Sequence, residues 1–246
     1  MSKLPMKDES GMTVIELLAG IIGFIVIFGA IMEMTVVATH NQDRIALRVA
    51  ANERARPTLT RVIDNVRSGC VAPRVTPIQP GSTATQMSFL SRSGSDVTPV
   101  PDRRVLTFLP ASGSLPPRME EAVYPATGGT PPVWTFSGTP LSSSQFQSPP
   151  NPKRNPPAFL TNVSPPGGVA FRYYHYVNGQ LSATPLPVPL SSTNAARAAY
   201  VTVSMTVLPA RENTQDPNSR ITLTDSVDLR LESAGQVAAV ENPPCT

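Results

Sequence analysis

From Met12 to Met32 the chain runs 21 residues in which Glu16 is the only ionisable side chain. At ~1.5 Å per residue this gives roughly 31 Å of helix, the thickness of a bilayer core. In lipid a single segment satisfies its backbone donors and acceptors only by closing them internally as a helix, so this stretch has little choice of fold. A carboxylate inside such a run is costly to desolvate and marks a functional position by default. Glu16 therefore requires a partner.

Two simpler readings meet the same stretch. A secretory signal would place small residues after the apolar run, and Val36-Val37-Ala38 is a weak version of that site. Asp8, Glu9 and Glu16 suit such a signal badly. A plain single-span anchor accounts for the length and gives no reason for an acid five residues past Gly11.

Gly11 closes a short polar leader carrying Lys3, Lys7, Asp8 and Glu9, an apolar residue comes next at Met12, and Glu16 is the fifth residue of the run. This arrangement resembles the N-terminus of the prepilin family, the type IV pilins and the pseudopilins of type II secretion and DNA-uptake systems. The family more often has Phe where this chain has Met12. The resemblance implies cleavage after Gly11 by a prepilin peptidase and N-methylation of the new amino terminus at Met12. It also implies that Glu16 forms an assembly salt bridge with the N-terminal amine of a neighbouring subunit. Glycine has no side chain to obstruct the scissile bond, and removing one partner of a buried pair typically costs ~3–5 kcal/mol. The partners implied are the peptidase, other major and minor pilins, the inner membrane and, indirectly, the assembly platform and its ATPase.

Composition bounds the remainder of the chain. The 246 residues leave room for one modest domain after the helix. With 28 prolines and only 6% aromatic residues, short strands joined by long loops are favoured over a helical bundle. The formal charge is +3 and no basic run exceeds two residues, as at Lys153-Arg154, so nucleic acid is not a default partner. Cys70 and Cys245 form an even pair in a chain expected to be exported, a candidate disulfide. Two unlinked thiols are the alternative, since Cys245 is the penultimate residue.

Helical spacing continues past the apolar run. Ile45 and Val49, then Leu59, Ile63 and Val66, recur at three and four residues among charged positions. This predicts one helix over about 12–67, membrane-spanning over 12–34 and amphipathic over 35–68, interrupted by Pro57 and stopped at Ser68-Gly69. Gly20, Gly23 and Gly29 suit close helix packing or are ordinary membrane glycines. Many major pilins carry a proline just after the apolar stretch, where this chain has Met32-Glu33-Met34.

Residues 69–246 predict a β-rich head. Strand candidates are Gln86–Ser91, Arg104–Leu109, Val133–Phe136, Val169–Val177, Ala199–Leu208 and Arg220–Leu231, with Asn178-Gly179 a hairpin turn. Val201, Val203, Met205 and Val207 alternate onto one face, as a half-buried antiparallel sheet requires. A Pro/Ser-rich loop is expected over about 110–166, and Glu120-Glu121 is expected to be a solvated pair. The last three strands resemble the C-terminal half of the minor pilins and pseudopilins of the PilW and PulJ type. The fold class expected is α+β, a long N-terminal helix packed on a C-terminal antiparallel sheet.

No metalloprotease, nucleophile-elbow, phosphate-loop or dinucleotide fingerprint is present, and His40 and His175 lie far apart, so neither an enzyme nor a cofactor is expected. Asp225 and Asp228 lack the dense oxygen cluster of a calcium site. The expected function is that of a minor pilin or pseudopilin priming or capping a filament, with its head outside the membrane. Two other classes compete: a bitopic anchored binding protein, and a DNA-uptake subunit whose Arg172, Arg197, Arg211, Arg220 and Arg230 would contact phosphates if they converge.

Overall fold

The computed structural model describes residues 13–69, 75–91, 101–130, 133–142, 157–208 and 220–229. The chain divides into two compact units, residues 1–46 and 47–246. The fold is α+β: a long N-terminal helix, then antiparallel sheets.

Helix α1 spans Val14–Arg67. In the first unit its apolar side chains, Val14 through Val37, are exposed, and the helix is long and apolar enough to cross a membrane. The hydroxyls of Thr35 and Thr39 are absorbed locally, donating to the carbonyls of Ile31 (2.8 Å) and Val36 (2.9 Å). In the second unit Ala51, Ala55, Leu59, Val62, Ile63 and Val66 form one buried stripe at helical spacing, against a polar face bearing Glu53, Arg56, Arg61 and Asp64. The helix passes Pro57 without a break, contrary to the interruption expected. Pro57 sits on the exposed face, where the carbonyl left without its N–H is accessible to water. The stop comes where predicted. Ser68 Oγ donates to the Asn65 carbonyl (2.7 Å), and a Cβ on Gly69 would lie 2.9 Å from the Val66 carbonyl oxygen, which leaves glycine as the residue that fits.

Among the described residues two larger antiparallel sheets and a two-stranded hairpin build the head. The first runs β1 (Gln86–Ser91), β2 (Asp102–Leu109), β3 (Arg118–Thr130), β4 (Val133–Phe136), with β5 (Phe159–Thr161) also on β3. The second is centred on β10 (Tyr200–Val207), flanked by β11 (Ile221–Asp228) on one side and by β6 (Val163–Ser164) and β7 (Phe171–Tyr174) on the other. Strands β8 (Tyr176–Val177) and β9 (Gln180–Leu181) form a hairpin on Asn178-Gly179, whose φ values of 52° and 77° are those the turn dipeptide supplies. A short helix, α2 (Ser192–Arg197), is capped by Ser191.

The alternation predicted for β10 holds: Val201, Val203, Met205 and Val207 are all fully buried. They join the α1 stripe, Phe89, Leu106, Met119 and Phe171 in one core shared by both sheets. Phe108 and Phe171 meet edge to face at 5.7 Å and tie one sheet to the other. Tyr173 is buried beside them and donates to the Thr83 carbonyl at 3.1 Å, and burial pushes its phenol far above the usual range. Leu90 heads a smaller cluster with Val75, Trp134 and Phe136, beside which the Arg103 guanidinium lies 4.8 Å from the Tyr124 ring.

Two further expectations are corrected. The stretch 110–166 is not simply a loop around the expected strand Val133–Phe136 (β4), because it also contains β3, β5 and β6. Strand β3 evades the sequence pattern because its inward positions Met119, Glu121 and Val123 include an acid. Glu121 is not solvated: its carboxylate takes Arg104 Nη1 at 3.0 Å, Asn65 Nδ2 at 3.1 Å and the Ala158 N–H at 2.6 Å, joining α1, β2, β3 and the approach to β5. Only Glu120 behaves as expected, half-exposed and paired with Arg118.

Candidate assembly site

The N-terminus of α1 is built by Thr13 and Glu16. Thr13 occupies the N-cap and Glu16 the third helical position, the Thr-x-x-Glu spacing of a capping box. The Thr13 backbone N–H donates to Glu16 Oε2 at 3.0 Å, and the Thr13 hydroxyl donates to the same oxygen at 3.1 Å. In return the Glu16 N–H donates to Thr13 Oγ1 at 3.4 Å. Two of the donors that a helix start leaves open are thereby satisfied, and the acid sits in the first turn, where the helix dipole favours negative charge.

Glu16 is the one acid in the apolar half of the helix, and Glu33 lies exposed at that half's end. The site shows hydrogen bonding around a single carboxylate. It has no second titratable group, among the described residues, with which to move a proton. Gly20, Gly23 and Gly29 have no atom within 4 Å of the position a Cβ would take, so each leaves an open notch on the helix surface. Gly11 and Met12, the expected cleavage and methylation positions, lie outside the described residues, as do Cys70 and Cys245.

The remaining candidates do not assemble into a centre. His40 is exposed on α1, whereas His175 is half-buried between β7 and β8. Asp228 accepts from the Tyr176 hydroxyl at 2.9 Å, a bond that raises the Tyr176 phenol above its usual range, while Asp225 accepts from the Ser226 N–H. Among the described residues no three His, Cys, Asp or Glu side chains are grouped so as to hold a metal ion.

Arg172 stands opposite Thr202, and Thr202 opposite Ser226, whereas Arg220 precedes the far end of β11. Six residues of strand, about 20 Å at ~3.3 Å each, separate the two arginines. Arg197 ends α2, and Arg211 and Arg230 lie outside the described residues.

Asp225 has a different use. Register places it opposite buried Val203, on the core side of β11, yet it is exposed. Among the described residues β11 pairs with β10 alone, and an inward-pointing charge on such an edge discourages a further strand.

Sequence reasoning missed Thr13, although its spacing to Glu16 was visible. It also missed Arg104 and Asn65, for which no local pattern existed. No protein-family model, curated protein or solved structure matches the chain.

Proposed function

We propose that this chain is a membrane-anchored filament subunit of the prepilin class, a minor pilin or pseudopilin of the PilW and PulJ type. Prepilin peptidase cleaves it after Gly11, Met12 is methylated, and the helix enters the filament through the pair between Glu16 and a neighbour's amine. The head stays on the extracytoplasmic side and primes or caps assembly with other pilins, driven by the platform and its ATPase.

The observation that carries this reading is the pairing of a lone acid, at the start of an exposed apolar helix, with a β-rich head on which the later turns of the same helix pack. A simple anchor needs the apolar length but not the acid. Direct DNA binding draws no support from arginines spread along a strand and a separate helix.

In cells carrying the cognate machinery, Glu16→Ala is expected to be processed normally and to be lost from sheared filaments. The loss of one partner of a buried pair corresponds to roughly two orders of magnitude or more in incorporation. Immunoblots of filament and membrane fractions report both quantities, and undiminished incorporation of the alanine variant would sink the assembly role of Glu16.

A further inference from the structure

We propose that the outer face of the second sheet binds a neutral, extended polysaccharide chain, seated on Tyr176 and running along β10 and β11. The proposal concerns the head alone and does not depend on the filament-subunit reading above.

Strand register builds the face in rows. On β10 the core takes Val201, Val203, Met205 and Val207, so Tyr200, Thr202, Ser204 and Thr206 point the other way. One row is Tyr174, Tyr200 and Asp228, and the next is Arg172, Thr202 and Ser226. The Tyr174 and Tyr200 rings meet edge to face at 6.0 Å. The Tyr176 hydroxyl donates to Asp228 Oδ1 at 2.9 Å, a bond that ties β8 to β11 and anchors an aromatic ring 49% exposed. Core packing does not account for this ring. A phenol fixed through its hydroxyl, with its ring left in water, presents a flat apolar surface to a ligand.

Beyond the tyrosines the face carries hydroxyls. Ser204 and Thr224 share a hydrogen bond at 3.0 Å, and Thr206 and Thr222 share another at 3.1 Å. In each pair one O–H is committed, and the other remains to donate while lone pairs remain to accept. Thr222 and Thr224 are exposed, and buried Ser204 holds Thr224 in place.

Charge selects the class of ligand. Arg172 and Asp228, both exposed and of opposite sign, lie on the face, and Arg220 stands past its far end. A polyanion would meet two arginines about 20 Å apart with an acid on the same face. A polycation would meet one carboxylate, already engaged by Tyr176. A neutral sugar chain fits both halves of the face. Its rings have an apolar side to lie on Tyr176 and a rim of hydroxyls that donate to Asp228 and the threonines and accept from Arg172.

The test titrates the full chain, in a sugar-free zwitterionic detergent, with cellohexaose, xylohexaose and mannohexaose and with heparin as the anionic comparison. Calorimetric binding of at least one neutral hexasaccharide, insensitive to salt, is the expected result. Tyr176→Ala should weaken it about tenfold and Thr224→Val about fivefold. Tyr176→Phe keeps the ring, loses its tie to Asp228, and should lose less than the alanine variant. An unchanged urea transition separates a lost contact from a lost fold, and Thr224→Val carries the test alone if Tyr176→Ala unfolds. A folded parent that binds none of the neutral hexasaccharides, or affinity equal across all variants, would overturn the proposal. Heparin binding that collapses with salt, in place of neutral binding, would overturn it in favour of a polyanion. A dimer in sedimentation that Thr224→Val dissolves would overturn it in favour of a second copy of the chain.

Discussion

Glu121→Ala is expected to destabilise the head by about 3–5 kcal/mol, a large share of the ~5–15 kcal/mol that holds a domain of this size together. The substitution removes the acceptor of three donors at once. Arg104, fully buried, loses its paired carboxylate, Asn65 loses the oxygens that join α1 to the sheet, and the Ala158 N–H loses its acceptor ahead of β5. Taking this carboxylate from a buried guanidinium costs far more than the pair contributes when intact, because desolvation is already complete.

The same reasoning predicts an asymmetry. The double change Arg104→Met with Glu121→Leu replaces the pair by apolar groups of similar volume and should recover most of the loss, leaving the Asn65 amide and the Ala158 N–H without the carboxylate. Urea unfolding monitored through Trp134, the single tryptophan, reads this directly. A Glu121→Ala chain as stable as the parent would show that the junction carries no net energy.

Phe171→Ala should cost a comparable ~3–5 kcal/mol, for a reason of packing and not charge. Phe171 is 1% exposed, belongs to the second sheet through its pairing with β10, and meets Phe108 of the first sheet edge to face. Its removal opens a cavity where the two sheets meet, which neither sheet can close without moving the other. The nearby change Tyr173→Phe provides the contrast. It keeps the ring and removes one hydrogen bond to Thr83, with an expected cost of only about 0.5–1.5 kcal/mol in the same assay. Equal losses from the two variants would contradict the placement of Phe171 as the link between the sheets.

These two positions also show what the chain discloses locally and what it does not. Helix α1, β1, β4 and β10 were legible because each carries its own periodicity or turn signal within a few residues. The buried face of β10 could be named residue by residue, and Ser68-Gly69 marked the end of α1. Strand β3 was hidden because Glu121 breaks its alternation, and the acid is compatible with burial only through Arg104, 17 residues away. No short window of sequence discloses that pairing. Pro57 misled for the converse reason. A local rule predicted an interruption, whereas packing of the flanking stripe and an exposed location let the helix continue.

At the candidate site the balance is different. Glu16 was conspicuous because its surroundings are uniformly apolar, and Thr13 could have been found from the capping spacing alone. What sequence could not supply was the direction of the bonds, with both donors on one oxygen. The arginines illustrate the limit from the other side, since five candidates could be counted but only the strand register shows Arg172 and Arg220 to be about 20 Å apart. Asp225 interrupts the face that Ile221, Leu223 and Val227 share on β11, and its position opposite Val203 gives that interruption a use at the edge.

The most direct measurement is the intact mass and N-terminal sequence of the membrane-associated protein produced with its own prepilin peptidase, beside a Gly11→Ala control. A filament subunit of the prepilin class yields a chain beginning at N-methylated Met12, with processing lost in the control. A chain that retains Met1 to Gly11, under conditions where a known prepilin is cut, would contradict that function and leave a single-span anchor whose capped acid has no assigned partner.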